Sequence, residues 1–226
     1  DPADDDLAAL AAAGVIQKKL IKTVAGLKVG FFGLLGADAV QVTPQAKPLT
    51  FDPIAVAAAQ MVKELRETDK VDLVIALSHS GIDHEGHGED AVLAAKVPGI
   101  DVIISGHTHD TLAQPARVGG TLIVTAGAYT AYLGELALTV TPSATPGTSP
   151  AVTVDSYTLR TIDDTITGDA TTQTAVDTFI GGVDTALTPA RLTYKKVVAS
   201  TAADLPLPAL KEAPVGNLVT DAYRTI

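Results

Sequence analysis

The 226-residue sequence contains five histidines, and all of them (His79, His84, His87, His107 and His109) fall between positions 79 and 109. Imidazole is the side chain best suited to hold a transition metal or to move a proton near neutral pH. In "IISGHTHD" (103–110) two histidines stand one residue apart behind a short apolar run. In extended or loop backbone such an i, i+2 pair can aim both rings to one side. There they can bind one ion, or neighbouring ions of a two-metal site. His79, in "LSHSG", follows another apolar run and can supply a third ring. Three imidazoles are too few for a two-metal centre, which also needs a bridging carboxylate and further oxygen ligands. Ser78 and Ser80 flank His79, but no Gly-x-Ser-x-Gly elbow marks either as a nucleophile.

The flanking segments say how these rings are positioned. "LKVGFFGLLG" (27–36) is an apolar run ending in glycine, as a buried strand does. In "FDPIAVAAAQMVKELRETDK", Asp52 suits the N-cap and Pro53 the first helical position. Ile54, Ala58, Met61, Val62 and Leu65 then form one apolar helical face. A strand over 71–77 follows, then the loop "GIDHEGHGED", a short helix in "EDAVLAAKV", and a strand ending in the 107/109 pair. Alternating strands and helices with short connections read as α/β with a parallel segment. Both histidine groups then lie where strands finish, the edge at which open α/β sheets bind ligands. Further on, "TLIVTAG", "LGELALTVT" and "AVTVDSYTLRTI" read as strands; "PSATPGTSP" reads as an interdomain linker or a loose hairpin tip, and its β-rich flanks favour the tip. A threonine-rich helix broken at Gly181–Gly182 is expected over 168–187, a strand in "LTYKKVVAST", and a helix starting in "EAPVGNLVTDAYRTI".

Other polar residues in this region have structural readings. His84 and His87 are expected in a solvated loop, Asp110 in a turn, and Glu89 and Asp90 at the start of a helix, where charge and dipole favour them. Gly127 is expected in a turn near the histidines with Tyr129 packing there, and Asn217 and Asp221 are read as structural.

Composition narrows the function. Length suffices for a large core, and with hydrophobic residues at 46% and aromatics at 4% that core must be mainly aliphatic. A net charge of −10 without a basic block argues against a nucleic-acid polymer or an acidic membrane surface as partner. A small anion remains possible, because a bound cation reverses the local field. There is no cysteine, hence no disulfide and no thiolate metal site. The apolar stretch "LAALAAAGVI" falls well short of the ~20 residues that span a bilayer. The acidic start lacks a basic leader and an initiator Met, and is expected to be a mature or trimmed end.

"LSHSGID", "EDAVLAAKVPGIDVIISGHTHD" and "EAPVGNLVTDAYR" together resemble the calcineurin-like metallophosphoesterases. More narrowly, they resemble the bacterial 5′-nucleotidase, UDP-sugar hydrolase and 2′,3′-cyclic phosphodiesterase group. "LKVGFFGL" and "LGELALTV" resemble strands of the same domain. The resemblance implies an α/β fold, a β-sandwich flanked by helices. It implies the C-terminal part of the phosphoesterase domain over 1–166, a linker helix over 167–190 and the start of a nucleotide-recognition domain over 191–226. It implies a dimetal hydrolase of nucleotides, with His79 and His107 on one ion and His109 on the other. The ions would be two divalent metals among Zn, Mn, Fe and Co. The partner would be a small nucleotide or phosphate ester, and the location periplasmic or secreted. The family's Asp-x-His, Gly-Asp and Gly-Asn-His-Asp/Glu motifs are absent and are expected before residue 1, which would make this chain an interior, inactive fragment. A thiosulfate-ester hydrolase of the same superfamily and a non-catalytic metal-binding or structural module are the alternatives.

Overall fold

The structure, a computed structural model, describes residues 5–46, 49–197, 199–202, 204–205 and 213–224. The chain divides into two compact units, Asp1–Ile166 and Thr167–Ile226.

The first unit opens with helix α1 (Asp5–Ala12) and is built on strands β1 (Leu20–Val24), β2 (Leu27–Leu35), β3 (Leu73–His79), β4 (Val102–Ser105), β5 (Ala116–Val118) and β6 (Thr121–Val124). They form one sheet in the order β1-β2-β3-β4-β6-β5, with β2, β3, β4 and β6 parallel and β1 and β5 antiparallel at the edges. A short helix α2 (Ala37–Gln41) leaves the end of β2. Helices α3 (Ile54–Lys63, continued by a π turn over Glu64–Thr68) and α4 (Glu89–Lys96) make the crossovers to β3 and β4. Right-handed crossovers that advance the same way along a sheet put both helices on one face. Accordingly Ala58, Val62 and Leu65 of α3, and Leu93 and Ala94 of α4, share one core with Val74, Ala76 and Ile103. The apolar face expected on α3 is the one buried. The helix begins at Ile54, with Val56 N–H and Ala57 N–H donating to Pro53 O; Asp52 makes no capping bond, so the expected start is corrected by one residue.

The alternation of β3 organises the rest. Val74, Ala76 and Ser78 point toward the helices, and Ile75, Leu77 and His79 to the other face. Strands β7 (Tyr132–Thr141) and β8 (Ala151–Thr161) form an antiparallel two-stranded sheet over that second face. A cavity of ≈ 460 Å³ lies between the two sheets, lined by Ile75, Ile104, Val124, Leu133, Leu136 and Tyr157. Tyr157 hydroxyl donates to Thr125 O (3.0 Å) across the gap. The two facing sheets with helices outside give the α/β sandwich expected. The tip between β7 and β8 docks on α3's extension: a Cβ on Gly147 would fall 2.1 Å from Arg66 O.

The second unit carries α5 (Ala170–Leu187) and α6 (Pro214–Arg224). Two expectations are corrected here. Helix α5 runs through Gly181–Gly182 without a break, started by Asp169, whose carboxylate accepts from Thr172 N–H (2.8 Å). Thr174, Thr178 and Thr185 return their hydroxyls to the carbonyl four residues back and leave the helix intact. No strand forms among the described residues of 192–201, because this unit has no described strand to complete a ladder. No helix of the described residues is long and apolar enough to cross a membrane.

Candidate metal centre

Parallel pairing brings the C-terminal ends of β3 and β4 side by side, with Ser78 opposite Ser105 in the register. Gly106 N–H donates to Ser78 O (2.9 Å) and carries the ladder one step further. His79 therefore closes one strand and His107 follows the other at the same sheet edge. Their ring centroids are 5.0 Å apart at an interplanar angle of 63°. Gly106 leaves the space for this approach, since a Cβ there would lie 3.4 Å from His79 Nδ1. Neither His79 ring nitrogen has a hydrogen-bond partner among the described residues. His107 Nε2 lies 2.9 Å from the Asp38 carboxylate, contributed by α2 from the end of β2.

The backbone that presents these rings is strained. His107 has φ 86 and His109 φ 62, in the region that L-residues enter at a cost of about 1–3 kcal/mol each. The surroundings hold them there. Thr108, between the two, donates its hydroxyl to Ile82 O (2.7 Å) and presses its methyl on Gly81. The His109 ring packs edge-on against Tyr129, centroids 5.1 Å apart, and Tyr129 is 88% exposed. The structure thus joins His79 and His107 as a pair and gives His109 a separate neighbour, in the turn where Gly127 N–H donates to Asp110 O (3.0 Å). Among the described residues, three ligating atoms within 4.8 Å of one another occur only at Asp83, Glu85 and His87, in the exposed loop after β3. His84 faces Asp110 at 3.6 Å.

Two imidazoles converging at a sheet edge, with a carboxylate on one of them, are a donor set suited to Zn, Mn, Fe or Co. The residues present fit a divalent ion at His79 and His107.

Residues 8–111, which include all five histidines, match the model of the calcineurin-like phosphoesterases. The match takes in just under half of the chain. The chain is 35% identical over 124 residues to the trifunctional nucleotide phosphoesterase YfkN of Bacillus subtilis, covering 54% of this chain and 8% of that protein. Its fold resembles that of a 5′-nucleotidase precursor from Thermus thermophilus, with TM-score 0.71, 24% identity, and coverage of 94% of this chain and 43% of the other. It also resembles the sulfate thiohydrolase SoxB of Thermus thermophilus, with TM-score 0.55, 23% identity, and coverage of 78% and 29%. The chain therefore spans a small part of its curated relative, and the structural likenesses concern the fold.

The sequence reading missed the bonds that the Asp38, Glu89 and Asp90 carboxylates make around the histidine edge. Glu89 and Asp90 stand in the first turn of α4, as expected, and their carboxylates also bond outside that helix. The Glu89 carboxylate accepts from Ala37 N–H (2.8 Å) and Asp38 N–H (3.1 Å), so it closes the start of α2. Gly36 has to be small there, because a Cβ would lie 2.4 Å from Glu89 Oε2 and 2.6 Å from Ser80 Cα. Asp90 is fully buried and accepts from Ser78 Oγ (2.6 Å), Ser105 Oγ (2.5 Å) and Gly81 N–H (3.2 Å). Burial pushes the Asp90 carboxyl above its ordinary 3.8, and the serine and backbone donors pull the other way. A signal for Asp90 was available: 90, 93, 94 and 97 fall on one helical stripe, and all four are buried. Asp38 carried a weaker one, standing just past a parallel strand that finishes at the histidine edge.

Proposed function

We propose that this chain is part of a dimetal phosphoester hydrolase acting on nucleotides, with His79 and His107 on one ion and His109 on the second. The observation that carries the reading is the His79–His107 ring pair at 5.0 Å, at the C-terminal edge of the sheet within the matched region. The names of relatives, a nucleotide phosphoesterase and a 5′-nucleotidase, support the substrate class. The likeness to a sulfate thiohydrolase is one of fold and does not favour a sulfur ester. An exported location, periplasmic or secreted, and the reading of 167–190 as a linker before a nucleotide-recognition domain belong to the same proposal by resemblance.

Bound divalent ions would supply Lewis acidity to phosphoryl oxygens and acidify water. The chain's own part is to hold nitrogen lone pairs in place. Asp38 accepts from His107 Nε2–H in this tautomer, leaving Nδ1 as the donor, the usual arrangement in which a carboxylate fixes a ligating imidazole. His79 has both nitrogens without a protein partner among the described residues, so one is available to the same ion.

The test uses the full-length protein. Bound Zn and Mn are measured, and AMP and an aryl phosphodiester are assayed with and without metal. Metal-dependent turnover that disappears in His107→Ala is the expected result. Absence of both metal and turnover in the wild type overturns the reading.

A further inference from the structure

We infer that Asp90 is a positioning residue for the metal pair, setting the spacing of His79 and His107 without touching either; this rests on the reading that those two histidines share an ion. Ser78 and Ser105 are register partners on neighbouring parallel strands, and each stands next to a site element: Ser78 precedes His79, and Ser105 precedes Gly106–His107. Both hydroxyls point to the helix-covered face because the histidine side of the sheet takes the alternate residues. One fully buried carboxylate accepts both, at 2.6 and 2.5 Å, and a third bond from Gly81 N–H (3.2 Å) ties in the loop that follows His79. Ser80 Oγ joins the network at 2.8 Å from Ser78 Oγ. Asp90 N–H donates back to Gly81 O (3.0 Å), so side chain and backbone grip the same turn.

The two serine hydroxyls meet Asp90 on the helix side of the sheet, whereas His79, the next residue of β3 after Ser78, alternates to the other face. A two-ended clamp at the last ladder rung therefore fixes how far apart the two strand ends can swing. Leu93 and Ala94 hold the helix that carries Asp90 in the core, so the clamp is referenced to a rigid body. Its chemical specificity is also plain: a carboxylate can accept three bonds at once with two oxygens, whereas Asn in the same space offers one oxygen and turns its NH2 either toward Ser78 or toward Ser105 and the Gly81 N–H.

The experiment compares Mn²⁺ affinity, by calorimetry on the full-length protein, for wild type, Asp90→Asn, Ser105→Ala, His107→Ala and the core truncation Val62→Ala. All are measured at a temperature where each is fully folded by circular dichroism. Asp90→Asn is expected to weaken Mn²⁺ binding by about 10- to 100-fold, as loss of groups behind metal ligands does. Val62→Ala, which lowers melting temperature without touching the clamp, is expected to bind as wild type. That contrast separates positioning from general destabilisation. Should Asp90→Asn not fold, Ser105→Ala removes one clamp bond without changing charge and is expected to weaken binding in the same direction. Wild-type affinity in Asp90→Asn, or in Ser105→Ala where the first does not fold, together with loss in His107→Ala, overturns the proposal and leaves the metal reading standing. Failure of the wild type itself to bind Mn²⁺ or Zn²⁺ overturns the metal reading, and the proposal with it.

Discussion

Replacing Gly81 by alanine tests whether the two loops that carry the histidines are locked as described. Gly81 has φ 101, outside the conformations that a Cβ tolerates, and holding alanine there costs about 1–3 kcal/mol. The new Cβ would also fall 2.4 Å from Thr108 Cγ2, so Thr108 must withdraw. Withdrawal breaks its 2.7 Å hydroxyl bond to Ile82 O, worth about 1 kcal/mol. Gly81→Ala should therefore destabilise by about 2–4 kcal/mol, read as a shift of the urea midpoint with an unchanged slope. Thr108→Ser removes the offending methyl and keeps the hydroxyl. In the Gly81→Ala background it should restore about 1 kcal/mol while the backbone strain remains. A Gly81→Ala protein that unfolds at the wild-type midpoint, or a second change that restores nothing, would refute the packing of Thr108 on Gly81.

Other consequences follow from buried charge. Arg66 donates to Asp101 (2.5 Å) and to Gly99 O (3.0 Å) in the interior, so Arg66→Met strands the Asp101 carboxylate at a cost of about 3–5 kcal/mol by urea unfolding. The double change with Asp101→Asn should cost less than the sum of the singles; strict additivity would contradict the coupling. Burial holds Asp90 and Asp101 above 3.8, so between 3.8 and their folded values the native state binds more protons than the unfolded chain. Their contribution to stability accordingly falls as pH rises through that window, and Asp90→Asn should make the slope of stability against pH more positive in urea melts across the acid range; an unchanged slope would count against it. Asp38→Ala, at an exposed carboxylate, should leave stability intact and weaken Zn²⁺ binding about 10- to 100-fold by calorimetry, and unchanged affinity would remove Asp38 from the site.

The parts of the fold legible in the sequence are those with strong periodicity. The buried runs of β2, β3 and β4 and the 3.6-residue stripe of α3 place the histidine edge correctly, because a strand's end is marked by where its apolar residues stop. Edge strands carry less signal. β1, "LIKTV", is largely exposed, and only the Ala25–Gly26 turn (φ 50 and 83) betrays its hairpin. β5 is three residues long, and the Gly119–Gly120 pair between it and β6 is the turn signal passed over. The strand expected in 192–201 illustrates the opposite error, since β-forming residues need a partner strand that composition does not reveal. At the site, the histidines announce themselves by type and spacing. Asp90 shows only by sharing a helical stripe with Leu93, Ala94 and Val97, and Asp38 only by standing just past a strand end; the neighbours each meets are given by the fold.

The most direct measurement is a histidine-ring NMR titration of the protein with Zn²⁺. If His79 and His107 share an ion, their ring resonances move together and saturate at one equivalent, ahead of His84 and His87. If instead the first equivalent perturbs His87, in the exposed Asp83–Glu85–His87 loop, or leaves His79 and His107 unchanged, the account of the metal centre is wrong.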